Sequence, residues 1–232
     1  MDDPTTLIAE DLLLLLLDDD SGRLTNATYL DSGLGGAFLV DLALGGHVDV
    51  DEPEKKWGFT QAARVRVTGS LPGDPALRAA YDTVAEKERT AQDLVGRLGR
   101  KQRDPLLERL AGRGLVERRE DRVLGLFPTT RWPAADARHE TRVRQQLDSA
   151  LLRGGTPDAR TAALVALLHG LGVAHRVVDR GDVPAGEVRK RAKQVAEGDW
   201  AAQGVADAVA AAQAAMMAAV VATTAATTAS SG

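Results

Sequence analysis

Long apolar stretches near the start of the chain predict a mainly helical protein. Residues 7–17 contain so many leucines that a helix there must be buried on most of its sides. Residues 34–44 form a second, nearly continuous apolar helix that ends at two glycines, and the small residues at 35–37 would let another helix approach closely. Further amphipathic helices are predicted over residues 75–98, 104–113, 136–152, 157–171 and 184–195, followed by an Ala-rich helix after Trp200.

Alternating positions predict a few short strands among these helices. Residues 48–51 and 63–67 alternate in a manner typical of strands and suggest a small hairpin around Trp57. A more prominent β-hairpin is predicted over about residues 116–127, with the charged residues 118–122 at its tip. Asp104 and Pro105 are the expected N-cap and first residue of the helix that precedes it.

No linker divides the chain, so we expect one domain over residues 7–222, between a short tail at 1–6 and a frayed tail at 223–232. The longest run of large apolar residues spans only 12–17, whereas a membrane-spanning helix needs about 20 residues. The sequence therefore predicts no transmembrane segment.

Composition removes several kinds of chemistry. The 232 residues include no Cys, which excludes disulfides, Cys zinc sites and Cys nucleophiles. The four histidines do not stand at the spacing of metal ligands or of a catalytic triad. We therefore expect no catalytic residues, no metal site and no cofactor, and a protein that is not an enzyme.

Charge is distributed unevenly along the chain, whose formal net charge is −4. Residues 1–54 hold thirteen acids and one base, while residues 97–123 hold nine bases and five acids. We call residues 97–123 the basic segment. It is the part of the sequence best suited to an anionic partner.

One interpretation of the basic segment is a winged-helix nucleic-acid-binding element, because a helix is followed by two strands. In that helix Leu106, Leu107 and Leu110 face the core and leave Glu108, Arg109 and Arg113 outward. Few outward bases and an acidic net charge make nucleic acid an improbable partner.

Three blocks of sequence carry a resemblance to a known family: LIAEDLLLLLLDDDSGR at 7–23, SGLGGAFLVDLALGG at 32–46 and LLERLAGRGLVERREDRVLGLF at 106–127. In order and spacing they resemble the Golgi phosphoprotein 3 family. The resemblance implies a mainly α fold, a central helical bundle wrapped by amphipathic helices with one prominent β-hairpin. The dominance of Arg over Lys is typical of a GC-rich bacterial genome, so we expect a bacterial, actinobacterial-type member.

The resemblance also implies a site and a partner. Eukaryotic members bind phosphatidylinositol 4-phosphate on a basic face and help to retain glycosylation enzymes. Of the family's headgroup pocket, an arginine pair matches Arg100 and Arg103, beside Lys101, whereas a Trp and an Arg of the family fall at Asn26 and Gly35. Pro105 is expected to disturb the helix that carries the pair. The family's hairpin mediates self-association and membrane contact, which here would involve Leu124, Leu126 and Phe127.

The predicted function is thus that of a peripheral membrane adaptor which binds phosphatidylinositol 4-phosphate or another anionic lipid headgroup. Its partner would be an anionic phospholipid surface at the inner face of a membrane, on the cytoplasmic side, with self-association through the hairpin. The basic N-terminal tail of eukaryotic members is expected to be missing, so no protein cargo is indicated. A protein-interaction scaffold that binds no lipid is the other alternative.

Overall fold

The computed structural model describes residues 6–18, 21–24, 29–51, 55–56, 59–60, 63–123, 127–198, 206, 208–210 and 212–214. Its main helices are α1 (Ile8–Leu16), α2 (Leu30–Leu44), α3 (Pro75–Ala85), α4 (Ala91–Gly99), α5 (Arg103–Gly112), α6 (Arg138–Leu151), α7 (Ala159–Gly170) and α8 (Ala185–Ala196). The short strands are β1 (Val48–Val50), β2 (Lys55–Lys56), β3 (Phe59–Thr60), β4 (Arg64–Val67), β5 (Arg89–Thr90), β6 (Arg119–Val123) and β7 (Phe127–Arg131). The prediction of a mainly α protein is confirmed.

Helices α1, α2 and α7 form the centre of the bundle. Every residue of α1 is buried, as the leucine run predicts, and α1 packs against α2, α5, α6 and α7. Removing this apolar surface from water is the main favourable contribution to folding. The outer helices bury one face only; α8, for example, buries Val188, Ala192 and Val195 at helical spacing.

Helices α2 and α4 approach each other closely through glycines. A Cβ atom at Gly35 would overlap the carbonyl oxygen of Val95, and one at Gly99 would overlap the carbonyl oxygen of Asp31. Only glycine leaves room for two backbones at this separation. The expected close contact at residues 35–37 is confirmed at Gly35, and it fixes the position of the C-terminal end of α4.

The strands form small antiparallel sheets. β4 lies between β1 and β5, and β1 pairs with β4 from Val48 opposite Val67 to Val50 opposite Val65. Along the chain between β1 and β4, β2 pairs with β3. This pairing confirms a small hairpin around Trp57, although Trp57 itself lies outside the described residues. Val65 is fully buried and joins this sheet to the core.

The prominent hairpin exists, but its predicted register is wrong. β6 and β7 pair from Arg119 opposite Arg131 to Val123 opposite Phe127, so residues 119–122 lie in a strand and are not the tip. Only residues 124–126, outside the described ones, connect the two strands. A two-stranded ribbon need not bury one face, so the charged residues of β6 follow no apolar alternation.

Helix α5 begins two residues earlier than predicted. Gln102 is its N-cap and Arg103 its first residue, whereas Asp104 and Pro105 lie in the first turn. The amide groups of a first helical turn have no partner within the helix, so Pro105 removes no hydrogen bond there. The expectation that Pro105 disturbs this helix is therefore wrong.

Towards the C-terminal end, residues 206–214 include helical positions whose Ala208, Val209 and Ala212 join the core. Gln213 donates a hydrogen bond to the carbonyl oxygen of Ala166 on α7 at 2.9 Å. The tails at 1–5 and 223–232 lie outside the described residues, and the single-domain assignment stays a prediction. Among the described helices, none is long and apolar enough to cross a bilayer.

Candidate functional site at the α4–α5 turn

The turn between α4 and α5 carries the three bases that the sequence singled out. The N–H of Gln102 donates to the carbonyl oxygen of Gly99 at 3.2 Å. Arg100 has φ −62° and ψ 123°, and Lys101 has φ 62°, which together correspond to a type II turn. Glycine is usual at the position of Lys101, and in the described part of the chain Lys101 is the sole non-glycine residue with positive φ. Such a strained residue is often found where a side chain has a function.

All three of these side chains reach solvent. Arg100 and Lys101 are exposed, and among the described residues neither has a carboxylate within ion-pair distance. Arg103 is also exposed, and its Nε lies 3.7 Å from a carboxylate oxygen of Asp104, a loose and solvated contact. We call Arg100, Lys101 and Arg103 the basic turn.

Most other bases of the basic segment are already paired with acids. Exposed ion pairs join Arg97 to Asp93 at 2.9 Å, Arg118 to Glu108 at 3.1 Å and Arg119 to Glu117 at 2.7 Å. The side chain of Arg122 lies outside the described part. The uncompensated charge of the described segment is therefore concentrated in the basic turn.

Arg109 and Arg113 face inward, which corrects the prediction that they point outward from the helix. The carboxylate of Glu10, fully buried on α1, lies 3.2 Å from Nε of Arg109 and 3.4 Å from Nη1 of Arg113. Arg109 also reaches Asp74, the N-cap of α3, at 2.8 Å. Burial disfavours the charged form of Arg109, but its hydrogen bonds with Asp74 and Glu10 outweigh burial and raise its pKa.

This inward pairing removes the basis of the winged-helix interpretation. A recognition helix must present basic or polar side chains to DNA, and two of the three proposed side chains, Arg109 on α5 and Arg113 at its C-cap, are held by acids of the same protein. The third, Glu108, is negative and pairs with Arg118.

The structure brings Gly35 next to the basic turn. Gly99, which directly precedes Arg100, packs against Gly35, and a Cβ at Gly99 would lie 2.7 Å from the Gly35 nitrogen. An arginine at position 35, where the family has one, would project its side chain from α2 into the space that α4 occupies in this protein. Asn26, Leu124 and Leu126 are outside the described residues, and Phe127 is the first residue of β7.

A buried polar cluster that the sequence analysis missed lies at the start of α1. Asp11 accepts a hydrogen bond from Thr6 Oγ1 at 2.9 Å and contacts Arg160 at 2.6 Å and Nε2 of His139 at 2.7 Å. Burial raises the pKa of Asp11, but the bonds from His139 and Arg160 outweigh it and lower the pKa. Acids inside a helix predicted to be buried all round were the signal for these partners, because buried charges are almost always paired.

This cluster resembles a nucleophile–base–acid set only in its residue types. The same nitrogen, Nε2 of His139, contacts both Thr6 Oγ1 and Asp11, whereas a triad uses the two ring nitrogens for different partners. The arrangement thus holds α1 against α6 and α7. Over the ranges that the structure describes, no three His, Asp or Glu side chains are grouped as metal ligands.

Comparison with known proteins identifies the family of this chain. The family model described as Golgi phosphoprotein 3 (GPP34) matches residues 8–212, which is most of the chain. The chain therefore belongs to the Golgi phosphoprotein 3 family, a family of non-enzymatic adaptors. A search of curated proteins finds no match.

Proposed function

We propose that this protein is a peripheral adaptor that binds anionic lipid headgroups through the basic turn. The observation that carries the proposal is that Arg100 and Lys101 are exposed and without a carboxylate partner in the described structure, while other arginines of the same segment are paired. Arg100 and Arg103 supply planar guanidinium groups that match a phosphate, and Lys101 adds a third positive charge.

The close contact between α2 and α4 favours recognition of charge over recognition of one phosphoinositide. Two of the family's headgroup positions are Asn26 and Gly35 here, and Gly35 is enclosed by α4. Each base near an anionic surface contributes about 1 kcal/mol, so the basic turn alone would give about 3 kcal/mol. We expect weak, salt-sensitive binding to anionic membranes in general.

The β6–β7 hairpin is the second part of the proposal. Because Val123 pairs with Phe127, the sequence Leu-Gly-Leu at 124–126 connects the strands and supplies apolar residues at that end. Contact of this end with a membrane, or with a second copy of the chain, would add apolar area to the charge of the basic turn. We also propose that this contact is made on the cytoplasmic side of a membrane.

Vesicle co-sedimentation tests the proposal. The parent protein is compared with Arg100→Glu/Arg103→Glu on neutral vesicles, phosphatidylglycerol vesicles and vesicles that contain phosphatidylinositol 4-phosphate. Arg78→Glu/Arg153→Glu is the matched control, since both arginines are exposed, lie outside the basic turn and change the net charge equally.

The expected result is binding to both kinds of anionic vesicle that is lost in the basic-turn variant and kept in the control. Preference for the phosphoinositide, lost in the same variant, would show that the basic turn suffices for specific recognition. Equal binding by parent and basic-turn variant would overturn the site. Absence of binding by the parent would overturn the lipid function and favour a scaffold.

A further inference from the structure

A cavity of about 330 Å³ lies between β4 and the C-terminal end of α3. Val67 of β4 and two residues of α3, Val84 and Ala85, give it apolar walls. Lys87 and Glu88, in the turn that follows α3, line its charged side. This volume is at the small end of the range of ligand pockets, and the lining includes no residue of the basic turn.

The cavity exists because β5 is shorter than β4. β5 pairs with β4 only at Arg64 and Val65. The residues before β5 belong to the turn after α3, so in the described part of the chain Arg66 and Val67 have no strand beside them on that side. One edge of β4 is therefore open where it borders the cavity.

The open edge presents the backbone groups of Val67. On the β1 side, the carbonyl oxygen of Arg64 accepts from the N–H of Asp51 at 2.9 Å. On the β5 side, the carbonyl oxygen of Ala63 accepts from the N–H of Ala91 at 2.9 Å. Successive residues of an antiparallel strand bond to opposite neighbours, so the N–H and C=O of Val67 face the β5 side. Among the described residues these two groups have no hydrogen-bond partner.

The charges that line the cavity are paired, with one exception. Arg64 contacts Glu88 at 3.1 Å, and Arg66 contacts Asp51 at 2.6 Å. Lys87 is exposed and has no carboxylate within ion-pair distance over the ranges that the structure describes. The cavity thus combines one available positive charge, an available backbone donor and acceptor, and an apolar wall.

We propose that this cavity binds a free α-amino acid with a branched apolar side chain, such as leucine or valine. Two opposite residues of an antiparallel sheet can exchange a pair of N–H···O=C bonds. An amino acid opposite Val67 forms the same pair, because its carboxylate accepts from the Val67 N–H and its ammonium group donates to the Val67 C=O. Lys87 provides a second, charge-assisted contact to the carboxylate. Val84 and Ala85 border the space for the side chain.

This arrangement requires both polar groups of the amino acid. A carboxylic acid without an ammonium group leaves the Val67 C=O without a partner. An amine without a carboxylate leaves the Val67 N–H without a partner and brings a second positive charge near Lys87. A polar group that loses water and gains no hydrogen bond weakens binding, so the site should discriminate against both analogues.

Isothermal titration calorimetry with leucine tests the site. Isocaproate, which lacks the ammonium group, and isoamylamine, which lacks the carboxylate, are the control ligands. The test variant is Val67→Pro, which removes the N–H that faces the cavity and leaves the backbone bonds between β4 and β1. Val67→Ala is the matched control, because it shortens the same side chain and keeps the N–H. Circular dichroism verifies that each variant is folded.

We expect saturable binding of leucine, and binding of both analogues that is weaker by about tenfold or more. Val67→Pro should bind leucine about tenfold more weakly than Val67→Ala, since one charge-assisted hydrogen bond is lost. Equal affinities of leucine and isocaproate, equal affinities of the two variants, or no binding of leucine by the parent protein would each overturn the proposal.

Lys87→Gln is a second variant, which tests the site even where Val67→Pro does not fold. Lys190→Gln is its control, since Lys190 is also exposed and lies outside the cavity lining. Leucine affinity should fall in Lys87→Gln and stay unchanged in Lys190→Gln, whereas equal affinities would contradict the role of Lys87 and overturn the site.

Two further measurements define the ligand and separate this site from the basic turn. N-acetyl-leucine methylamide carries peptide groups in place of the two charged ends, and binding as tight as that of leucine would overturn the assignment to a free amino acid. Arg100→Glu/Arg103→Glu should bind leucine as the parent does. Failure of the basic turn and failure of the cavity are thus distinguishable.

Discussion

The carboxylate of Asp41 on α2 accepts a hydrogen bond from the backbone N–H of Ile8, the first residue of α1, at 3.1 Å. Its other oxygen accepts from the N–H of Ala9 at 3.4 Å. Leu7, at the N-cap of α1, has no polar side-chain group for these donors, so α2 supplies the cap. Burial raises the pKa of Asp41 to about 7, although these bonds and the charge of Arg160 act in the opposite direction.

This raised pKa predicts that the contribution of Asp41 to stability falls as pH rises through the range from about 4 to about 7. Within this range the folded protein keeps a proton on Asp41 that the unfolded chain has lost, so the free energy of unfolding decreases with pH and levels off above about 7. A shift of this size corresponds to a change on the order of 4 kcal/mol.

Chemical unfolding at a series of pH values measures this slope in the parent and in Asp41→Asn. The amide does not ionise, so the variant should show a flatter profile in the same range. Identical slopes in parent and variant would show that another group causes the dependence.

The glycine contact between α2 and α4 predicts a sharp contrast among three substitutions. Gly35→Ala and Gly99→Ala each place a Cβ against a backbone carbonyl and should lower the free energy of unfolding by about 3 kcal/mol. Gly96→Ala is the matched control on α4, because nothing lies within 4 Å of its Cβ. The control should raise stability by about 0.5–1 kcal/mol through helix propensity. Equal effects at all three positions, measured by urea unfolding, would contradict the contact.

Substitutions of Lys101 should affect the stability of the protein and its binding to vesicles differently. Lys101→Gly relieves the positive φ of the turn and should change the free energy of unfolding by only about 0.5 kcal/mol, in the stabilising direction, since the gain is partly offset by the entropy of glycine. The same variant loses one of three positive charges, so its binding to phosphatidylglycerol vesicles should fall. Lys101→Val, which cannot adopt the turn easily, should be destabilised. A large loss of stability in Lys101→Gly would show that the side chain itself supports the turn.

Removing the two arginines that pair with Glu10 should lower the stability more than removing the charge of Glu10 itself. Arg109→Ala/Arg113→Ala leaves a fully buried carboxylate without its cations and should cost about 3–5 kcal/mol. Glu10→Gln leaves two arginines that are partly exposed and, for Arg109, still paired with Asp74, so its cost should be smaller. Thermal unfolding of the two variants measures the difference. A greater loss of stability in Glu10→Gln than in Arg109→Ala/Arg113→Ala would contradict this prediction.

The sequence predicted best where burial on all sides left a simple pattern. The leucine run identified α1 as a central helix, and the nearly continuous apolar run identified α2. The small residues at 35–37 indicated the close contact that Gly35 makes. The hairpin was placed too early because β6 consists mostly of charged residues, in which no apolar period marks the strand. The residues and the family resemblance both predicted a hairpin after α5, and neither gave its register.

The residue count located the basic segment, and the resemblance to the family then assigned its arginine pair to Arg100 and Arg103. The partners of Arg109 could not be found in the same way, since Glu10 is 99 residues distant. The charge count of the basic segment thus overstated its free charge. Glu10 and Asp11 within an apolar helix were the available clue that cations from elsewhere must enter the core.

The cap that Asp41 provides also predicts how the first amides of α1 exchange with deuterium. A helix whose first amides are held by a neighbouring helix keeps them protected from deuterium exchange until the two helices separate. The protection of Ile8 and Ala9 should then report the free energy of separating α1 from α2, and it should match the protection of the central residues of α2. We therefore expect α1 and α2 to open as one unit, without separate fraying at the start of α1.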